Sequence, residues 1–221
     1  MLQCYTSRGG RESFYIRYSP RSKDKINISQ LHPLAIVEIE LSSLKMGTMA
    51  NIREISSPGR LSSIRGDIYK SSIALFMCEL ILKSIREVEE NPLLYAFLHN
   101  SVITLESMKE GVANFHPWFL VNFCGQMGYA PKIDKDPEDA LFDIVSAEYV
   151  KYPQPDSICM NQADSALLYR FIEADSATLS SIRITGSVRY HFIGELLRYL
   201  SIHTGSELKI ESLDVLHEVF E

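Results

Sequence analysis

The residues best suited to chemistry lie near the start of the chain, where cations alternate with aromatic side chains. The cations are Arg8, Arg11, Arg17, Arg21, Lys23 and Lys25, and the aromatic residues among them are Tyr5, Phe14, Tyr15 and Tyr18. Cations neutralise backbone phosphates and aromatic rings stack on unpaired bases, so this composition is typical of a single-strand binding surface. The alternative interpretation is that the aromatic residues form the core of a sheet and the cations a solvated face.

The formal net charge of −6 is divided unevenly along the 221 residues. Residues 1–70 hold eleven Lys and Arg against six Asp and Glu, a balance of +5, whereas residues 71–221 hold eleven against 22, a balance of −11. Such asymmetry indicates a nucleic-acid surface confined to the N-terminal part of the chain. Three more cations extend this candidate surface, namely Arg53, Arg60 and Arg65.

The other polar residues form no catalytic or metal-binding pattern. The six histidines stand in no zinc-protease motif and have no close cysteine. The acidic series Asp134, Asp136 and Glu138 lacks the glycine and the glutamate that a calcium loop requires at later positions. We therefore expect no bound metal, no cofactor and no enzymatic activity.

The cysteine content and the apolar runs indicate the cellular compartment of the protein. Four cysteines lie far apart with no C-x-x-C pair, as expected for free thiols in a reducing cytoplasm. No apolar run approaches the 18 residues of a membrane span, and the first residues contain no apolar signal segment. We expect a cytoplasmic protein that does not bind membranes.

The elements that would position the cations are short strands in residues 2–58. The β-type patterns cover Leu2–Thr6, Glu12–Ser19, Leu34–Leu41 and Thr48–Ile55. In the third of these, alternation places Val37, Ile39 and Leu41 on the inner face. Antiparallel strands around a charged loop indicate a small barrel or curved sheet, and Ser56–Gly59 marks the boundary to the next part.

Residues 59–221 are predicted to be a helical domain built on Gly66–Leu98. Ile73–Leu82 is apolar except at Glu79, which predicts a helix buried on nearly all sides. Asn91-Pro92 ends this helix region and starts a second helix, about residues 92–106.

Further helices are predicted at residues 117–127, 161–173, 187–203 and 212–220, with a short hairpin at residues 142–152. We expect Leu75, Phe76, Ile81 and Phe119 to share one buried cluster.

Several ordered segments resemble the bacterial RecO recombination mediator family, in particular its shorter, zinc-free members of the Bacteroidetes type. Tyr5-Thr6 with Gly10-Arg11 is similar to its strand-turn, and the basic loop followed by residues 31–40 is similar to its next passage. Residues 72–80 and 111–129 resemble two of its helices. The resemblance is completed by Phe142-Asp143, Arg198-Tyr199, His203, Ser212-Leu213 and Val215-Leu216.

The resemblance implies an α+β protein with an N-terminal OB-like barrel, residues 1–58, that binds DNA, and a helical domain, residues 59–221. It implies a non-enzymatic, nucleoid-associated mediator of DNA repair and recombination. It further implies that the protein binds single-stranded and duplex DNA, anneals complementary single strands, binds the acidic C-terminal tail of single-strand DNA-binding protein, and works with RecR to load RecA. The alternative is a protein-interaction scaffold whose helical domain binds partners while the N-terminal part has lost DNA affinity.

The chain departs from the family pattern at three places. The family's first strand is missing, which puts closure of the barrel in doubt and predicts a shortened start. Only Cys159 lies beyond the segment where zinc-bearing members carry four cysteines. Pro117-Trp118 stands where some members have a basic pair, so a tail pocket that uses those cations cannot be assumed.

Overall fold

The computed structural model describes residues 1–16, 28–41, 52–86, 89–133, 137 and 139–221. Within these ranges the chain forms six strands and seven α-helices. The strands are β1 (Leu2–Thr6), β2 (Gly10–Phe14), β3 (Glu38–Leu41), β4 (Ile52–Ser56), β5 (Leu141–Asp143) and β6 (Glu148–Val150). The helices are α1 (Ser62–Gly66), α2 (Ile68–Ser84), α3 (Pro92–Ser107), α4 (Phe115–Gln126), α5 (Gln162–Glu173), α6 (Gly186–Thr204) and α7 (Ser212–Phe220).

The predicted α+β class is confirmed, and the strands form three antiparallel pairs. β1 pairs with β2, β3 with β4 and β5 with β6. The first two pairs are joined by the hydrogen bond from the Ile52 N–H to the Tyr15 carbonyl, 3.3 Å. Phe14, Ile52 and Ile55 are buried together in a small core between these pairs. The described residues contain no closed barrel, and the OB-like fold stays a prediction because residues 17–27 and 42–51 lie outside the described ranges.

Two strand predictions need correction within the described residues. The predicted strand from Glu12 pairs instead from Gly10 to Phe14. The strand predicted from Leu34 begins only at Glu38, because Leu34 has a φ of 60°, which extended backbone does not allow. Leu41, predicted to face inward, is 37% exposed. The Thr48–Ile55 strand is described from Ile52 onward.

The central helical pair is confirmed close to its predicted bounds. The Asp67 carboxylate accepts from the N–H groups of Tyr69 and Lys70 and so caps the start of α2. The Asn91 side chain accepts from the Leu94 N–H at the start of α3, whose first residue is Pro92. Proline needs no hydrogen-bond partner for its nitrogen at this position.

The main core fills the helical part, and two of the four residues predicted to share it, Phe76 and Phe119, are fully buried. Ile81 is half-buried against the same cluster. The prediction for Leu75 is wrong, since its side chain is 43% exposed. Helix α2 is therefore not buried on all sides, because no described element covers the Leu75 face completely.

Glu79, the one charged residue in the apolar run, holds two helices together. Its carboxylate accepts from the Glu211 N–H at 2.9 Å, the Ser212 N–H at 2.8 Å and the Ser212 hydroxyl at 2.6 Å, all at the start of α7. Lys83, one turn later, donates to the same carboxylate at 2.6 Å. The start of α7 is thus capped by a residue that lies more than 130 positions earlier in the sequence.

A second capping network joins α1 and α3. The Glu106 carboxylate accepts from the Ser63 and Ile64 N–H groups, each at 2.8 Å, at the start of α1. Buried Lys70 donates to the carbonyls of Glu106 and Met108 at the end of α3. Helix α1 has only five residues and was not predicted; its orphan N–H groups are satisfied by a distant side chain.

The predictions for the later helices and for the hairpin are confirmed. Helices α4 to α7 and the β5–β6 hairpin lie within two residues of the predicted ranges. Gly205 follows α6 with a φ of 65°, the left-handed conformation that ends many helices.

Candidate nucleic-acid interface

Five of the nine predicted DNA-binding cations lie in the described part of the chain. Arg8 is exposed in the turn between β1 and β2, Arg53 is exposed on β4, and Arg60 and Arg65 are exposed around α1. Arg53 forms an ion pair with Glu40 at 2.8 Å, with both side chains largely in solvent. Arg17, Arg21, Lys23 and Lys25 lie outside the described residues, so their placement is not tested.

Arg11 differs from these exposed cations because its side chain caps a helix. It lies opposite Tyr5 in the β1–β2 register. Its Nη1 group donates to the carbonyls of Leu82, at 2.9 Å, and Ile85, at 2.8 Å, at the end of α2. A cation at this end also complements the partial negative charge of the helix dipole. Binding of phosphate by Arg11 stays a prediction, and its Nη1 group has a structural partner.

A cavity of about 410 Å³ lies beside this contact, between β1, the loop of residues 31–36, and helices α2 and α3. Its walls are mainly apolar, and Cys4 and Cys78 both reach it. Burial raises the pKa of each of these thiols to about 11, although the Leu34 N–H that donates to Cys78 Sγ opposes this for Cys78. Both thiols are therefore neutral at pH 7. None of the described residues that line the cavity is acidic.

The loop over the cavity is held in a strained conformation. Leu34 adopts positive φ, which is uncommon for a residue with a branched side chain. Its N–H donates to Cys78 Sγ at 3.2 Å, and the Ala35 N–H donates to the His32 carbonyl at 2.9 Å. The hydrogen bond to Cys78 holds the loop backbone against α2, and Leu34 and Ile36 pack against the main core, so the helical part positions this cavity wall.

A second, more open cavity of about 750 Å³ lies at the start of α6, between residues 110–114 and residues 180–189. Arg189 lines it and is only 7% exposed. The Arg189 Nε donates to Asn114 Oδ1 at 3.2 Å and Nη2 makes a long contact of 3.4 Å with the Ile184 carbonyl. Arg183 lies on the rim with an exposed side chain.

Arg189 is a buried cation without a carboxylate partner among the described residues. Its guanidinium carbon lies 5.7 Å from the Phe220 ring centroid, and burial lowers its pKa. Burial also lowers the pKa of His116 well below 6.5, and the nearby Arg189 charge adds to this effect. Since buried charges are normally paired, the arrangement is suited to receiving an anionic group from outside.

Pro117 and Trp118, where the resemblance implied a basic pair in some family members, have structural roles here. Pro117 is buried in the first turn of α4. The Trp118 indole N–H donates to the Ala174 carbonyl at the end of α5, 2.9 Å. The sequence did not point to Arg189 as a functional residue, because its partner Asn114 lies 75 positions away and no motif links the two.

Two features are absent from the described residues. No group of three or more His, Cys, Asp or Glu side chains there could hold a metal ion. None of the helices in the described part of the chain is both long and apolar enough to cross a membrane.

Comparisons with known proteins agree with the resemblance seen in the sequence. A family model described as "Recombination protein O C terminal" matches residues 65–211. A DNA repair protein RecO from Bacteroides fragilis is 28% identical over 222 residues, a match that covers 100% of this chain and 92% of that protein. RecO proteins from Azobacteroides pseudotrichonymphae and Flavobacterium psychrophilum are 26% and 27% identical over 221 residues, each match covering 100% of this chain and 92% or 91% of the relative.

Proposed function

Because the chain belongs to the recombination protein O family, we propose that it is a non-enzymatic DNA repair protein that binds and anneals DNA. With RecR, it helps to load RecA onto single strands covered by single-strand DNA-binding protein. The observation that carries this proposal is the match along the whole chain to relatives named DNA repair protein RecO. The positive balance of residues 1–70 supports a DNA surface in that part.

The proposed DNA surface includes the exposed cations Arg8, Arg60 and Arg65, for which no ion pair occurs among the described residues. Phosphate contacts dominate such binding, so affinity should fall steeply with salt. Replacing all three residues with alanine should weaken binding to every sequence. It should also lower the slope of log affinity against log salt by about 0.7 for each single-strand phosphate that is no longer neutralised.

Fluorescence anisotropy of a labelled oligonucleotide, measured over a series of salt concentrations, tests this surface. Arg170→Ala is the matched control, because Arg170 is an exposed arginine on α5 in the acidic part of the chain. No salt-sensitive binding by the parent protein at micromolar concentration would refute the proposed function. Unchanged affinity and slope in the triple variant would remove these three residues from the surface.

The acidic tail of single-strand DNA-binding protein is proposed to bind in the second cavity, the one of about 750 Å³ that Arg189 lines. A terminal carboxylate would supply the counter-charge that Arg189 lacks among the described residues, and Val112 and Ile182 offer apolar surface beside it. A hydrogen bond to a charged group contributes about 1.5–3 kcal/mol. Arg189→Met should therefore weaken binding of a tail peptide about tenfold or more.

Calorimetry with the tail peptide and with its C-terminally amidated form tests this assignment, and Arg170→Met is the control. The parent should bind the free-acid peptide more tightly than the amide, and Arg189→Met should remove this preference. An equal affinity for both peptides in the parent would place the tail elsewhere.

The second candidate function is a protein-interaction scaffold without DNA affinity. The −11 balance of residues 71–221 favours it, because that part cannot attract phosphate by its net charge. Helix α3 also exposes the apolar side chains of Leu93 and Ile103, at 79% and 45%. A pull-down that recovers RecR and single-strand DNA-binding protein, with no retention of DNA, would support the scaffold.

A further inference from the structure

The 410 Å³ cavity carries ring side chains on more than one wall. Tyr5 comes from β1 and His32 from the loop above, whereas Tyr95 and His99 come from α3. The Tyr95 and His99 rings lie almost parallel, with centroids 6.1 Å apart and an interplanar angle of 29°. The cavity volume lies within the usual range of about 300–1,000 Å³ for small-molecule sites. The cavity is therefore lined by ring side chains and has the size of a site for a small planar group.

Three arginines lie at or near this cavity, together with Glu12, which is opposite Cys4 in the β1–β2 register. Arg11 lines one end, fixed there by the carbonyls of Leu82 and Ile85. Arg86 directly follows Ile85 and is exposed. Arg8 is exposed in the turn that joins β1 to β2. A ligand with an uncharged planar ring and an attached anion would thus find the ring surface inside and cations outside.

We propose that this cavity receives one unpaired base of single-stranded DNA while the flanking phosphates meet Arg8 and Arg86. The inference rests on the proposed DNA-binding function and adds a base-binding site to it. Bases stack on aromatic side chains irrespective of sequence, and His99 and Gln3 offer polar groups to a base edge. A base within a duplex is already stacked and paired, so duplex DNA cannot use the cavity.

An oligothymidylate and an abasic strand with the same number of phosphates separate base binding from charge. The parent protein should bind the oligothymidylate about 5- to 150-fold more tightly, the range expected for one base–aromatic stack. Salt slopes should be equal for the two strands, because their phosphate contacts are the same. Equal affinity for both strands overturns the base site while leaving the proposed function standing. No affinity for either strand contradicts the proposed function itself.

Two tyrosine variants test whether the base stacks in this cavity. Tyr95→Leu keeps an apolar side chain but removes the ring, and it should abolish the preference for oligothymidylate without changing duplex affinity or the salt slope. Tyr152→Leu is the control, because Tyr152 is 85% exposed and does not line the cavity. Thermal unfolding of both variants checks that they are folded. A Tyr95→Leu protein that keeps the preference, or that loses RecR binding instead, refutes the assignment.

Discussion

Replacing Glu79 with glutamine should destabilise the protein in a pH-dependent way. Burial alone would raise the pKa of this carboxyl, but hydrogen bonds from Lys83 and Ser212, and from the Ser212 and Glu211 N–H groups, outweigh it and lower the pKa from 4.5 to about 2. The difference corresponds to at most about 3 kcal/mol of folding free energy at pH 7. Because solvent still reaches part of the side chain and screens the charge, we expect a loss of about 1–3 kcal/mol.

The sign of the pH dependence follows from the two protonation states. The unfolded carboxyl takes up a proton near pH 4.5, whereas the folded one stays ionised until about pH 2. The stability that Glu79 contributes is therefore complete above about pH 5 and is lost as the pH falls toward 2. The parent protein and Glu79→Gln should differ most at neutral pH and converge in acid.

Urea unfolding at pH 7, pH 5 and pH 3 measures this difference. In a domain of this size, 1–3 kcal/mol corresponds to about 2–12 °C in melting temperature. Glu218→Gln is the control, because Glu218 is exposed on α7. A Glu79→Gln protein as stable as the parent at pH 7, or a difference that does not shrink by pH 3, would show that the carboxylate does not hold α7.

Three further predictions concern stability and are checked by urea unfolding. Phe76→Ala should lower the free energy of unfolding by about 3–5 kcal/mol because the side chain is fully buried. Leu75→Ala, at a half-exposed position, should lower it by less than about 1 kcal/mol. Arg11→Ala should lower the free energy of unfolding by about 1–3 kcal/mol because two helix-end carbonyls lose a charged donor. The control Arg8→Ala should lower it by less than about 0.5 kcal/mol. An equal loss in the two variants would contradict the helix-capping role. His116 is neutral in the folded protein because burial and Arg189 lower its pKa. Below about pH 6.5 the unfolded chain therefore binds a proton that the folded protein does not, and the parent should lose up to about 1.4 kcal/mol of folding stability per pH unit through this group. His116→Leu should lack that loss between pH 7 and pH 5, and an identical pH dependence in parent and variant would refute it.

Several helices could be predicted from sequence because the signals that bound them are local, whereas α1, whose first N–H groups donate to distant Glu106, was not predicted. Asn91 and Pro92 specify the start of α3 by their own side chains, and Gly205 specifies the end of α6. The strand expected from Leu34 failed because its positive φ accompanies a hydrogen bond to Cys78, 44 residues away. An alternating pattern contains no information about such a contact.

The candidate sites were only partly predictable for the same reason. The sequence grouped Arg8 and Arg11 as candidate cations, but it gave no sign that Arg11 ends on the carbonyls of α2, more than 70 positions later. Both cavities form where distant segments meet. The ring side chains of Tyr5 and Tyr95 are 90 residues apart in the chain, and Arg189 meets Asn114 across 75 positions.

Glu79 also fixes the rotational setting of α2 about its own axis. This helix is apolar on most of its circumference, so turning it by one residue would exchange one set of apolar side chains for another at small cost in buried area. Only one setting points a carboxylate at the first N–H groups of α7. A leucine at position 79 would keep the helix and its apolar character, yet it would remove one of the polar contacts that distinguish one orientation from its neighbours, leaving that of buried Lys70. Loss of this single charge therefore narrows the energy gap between the native arrangement and its neighbours.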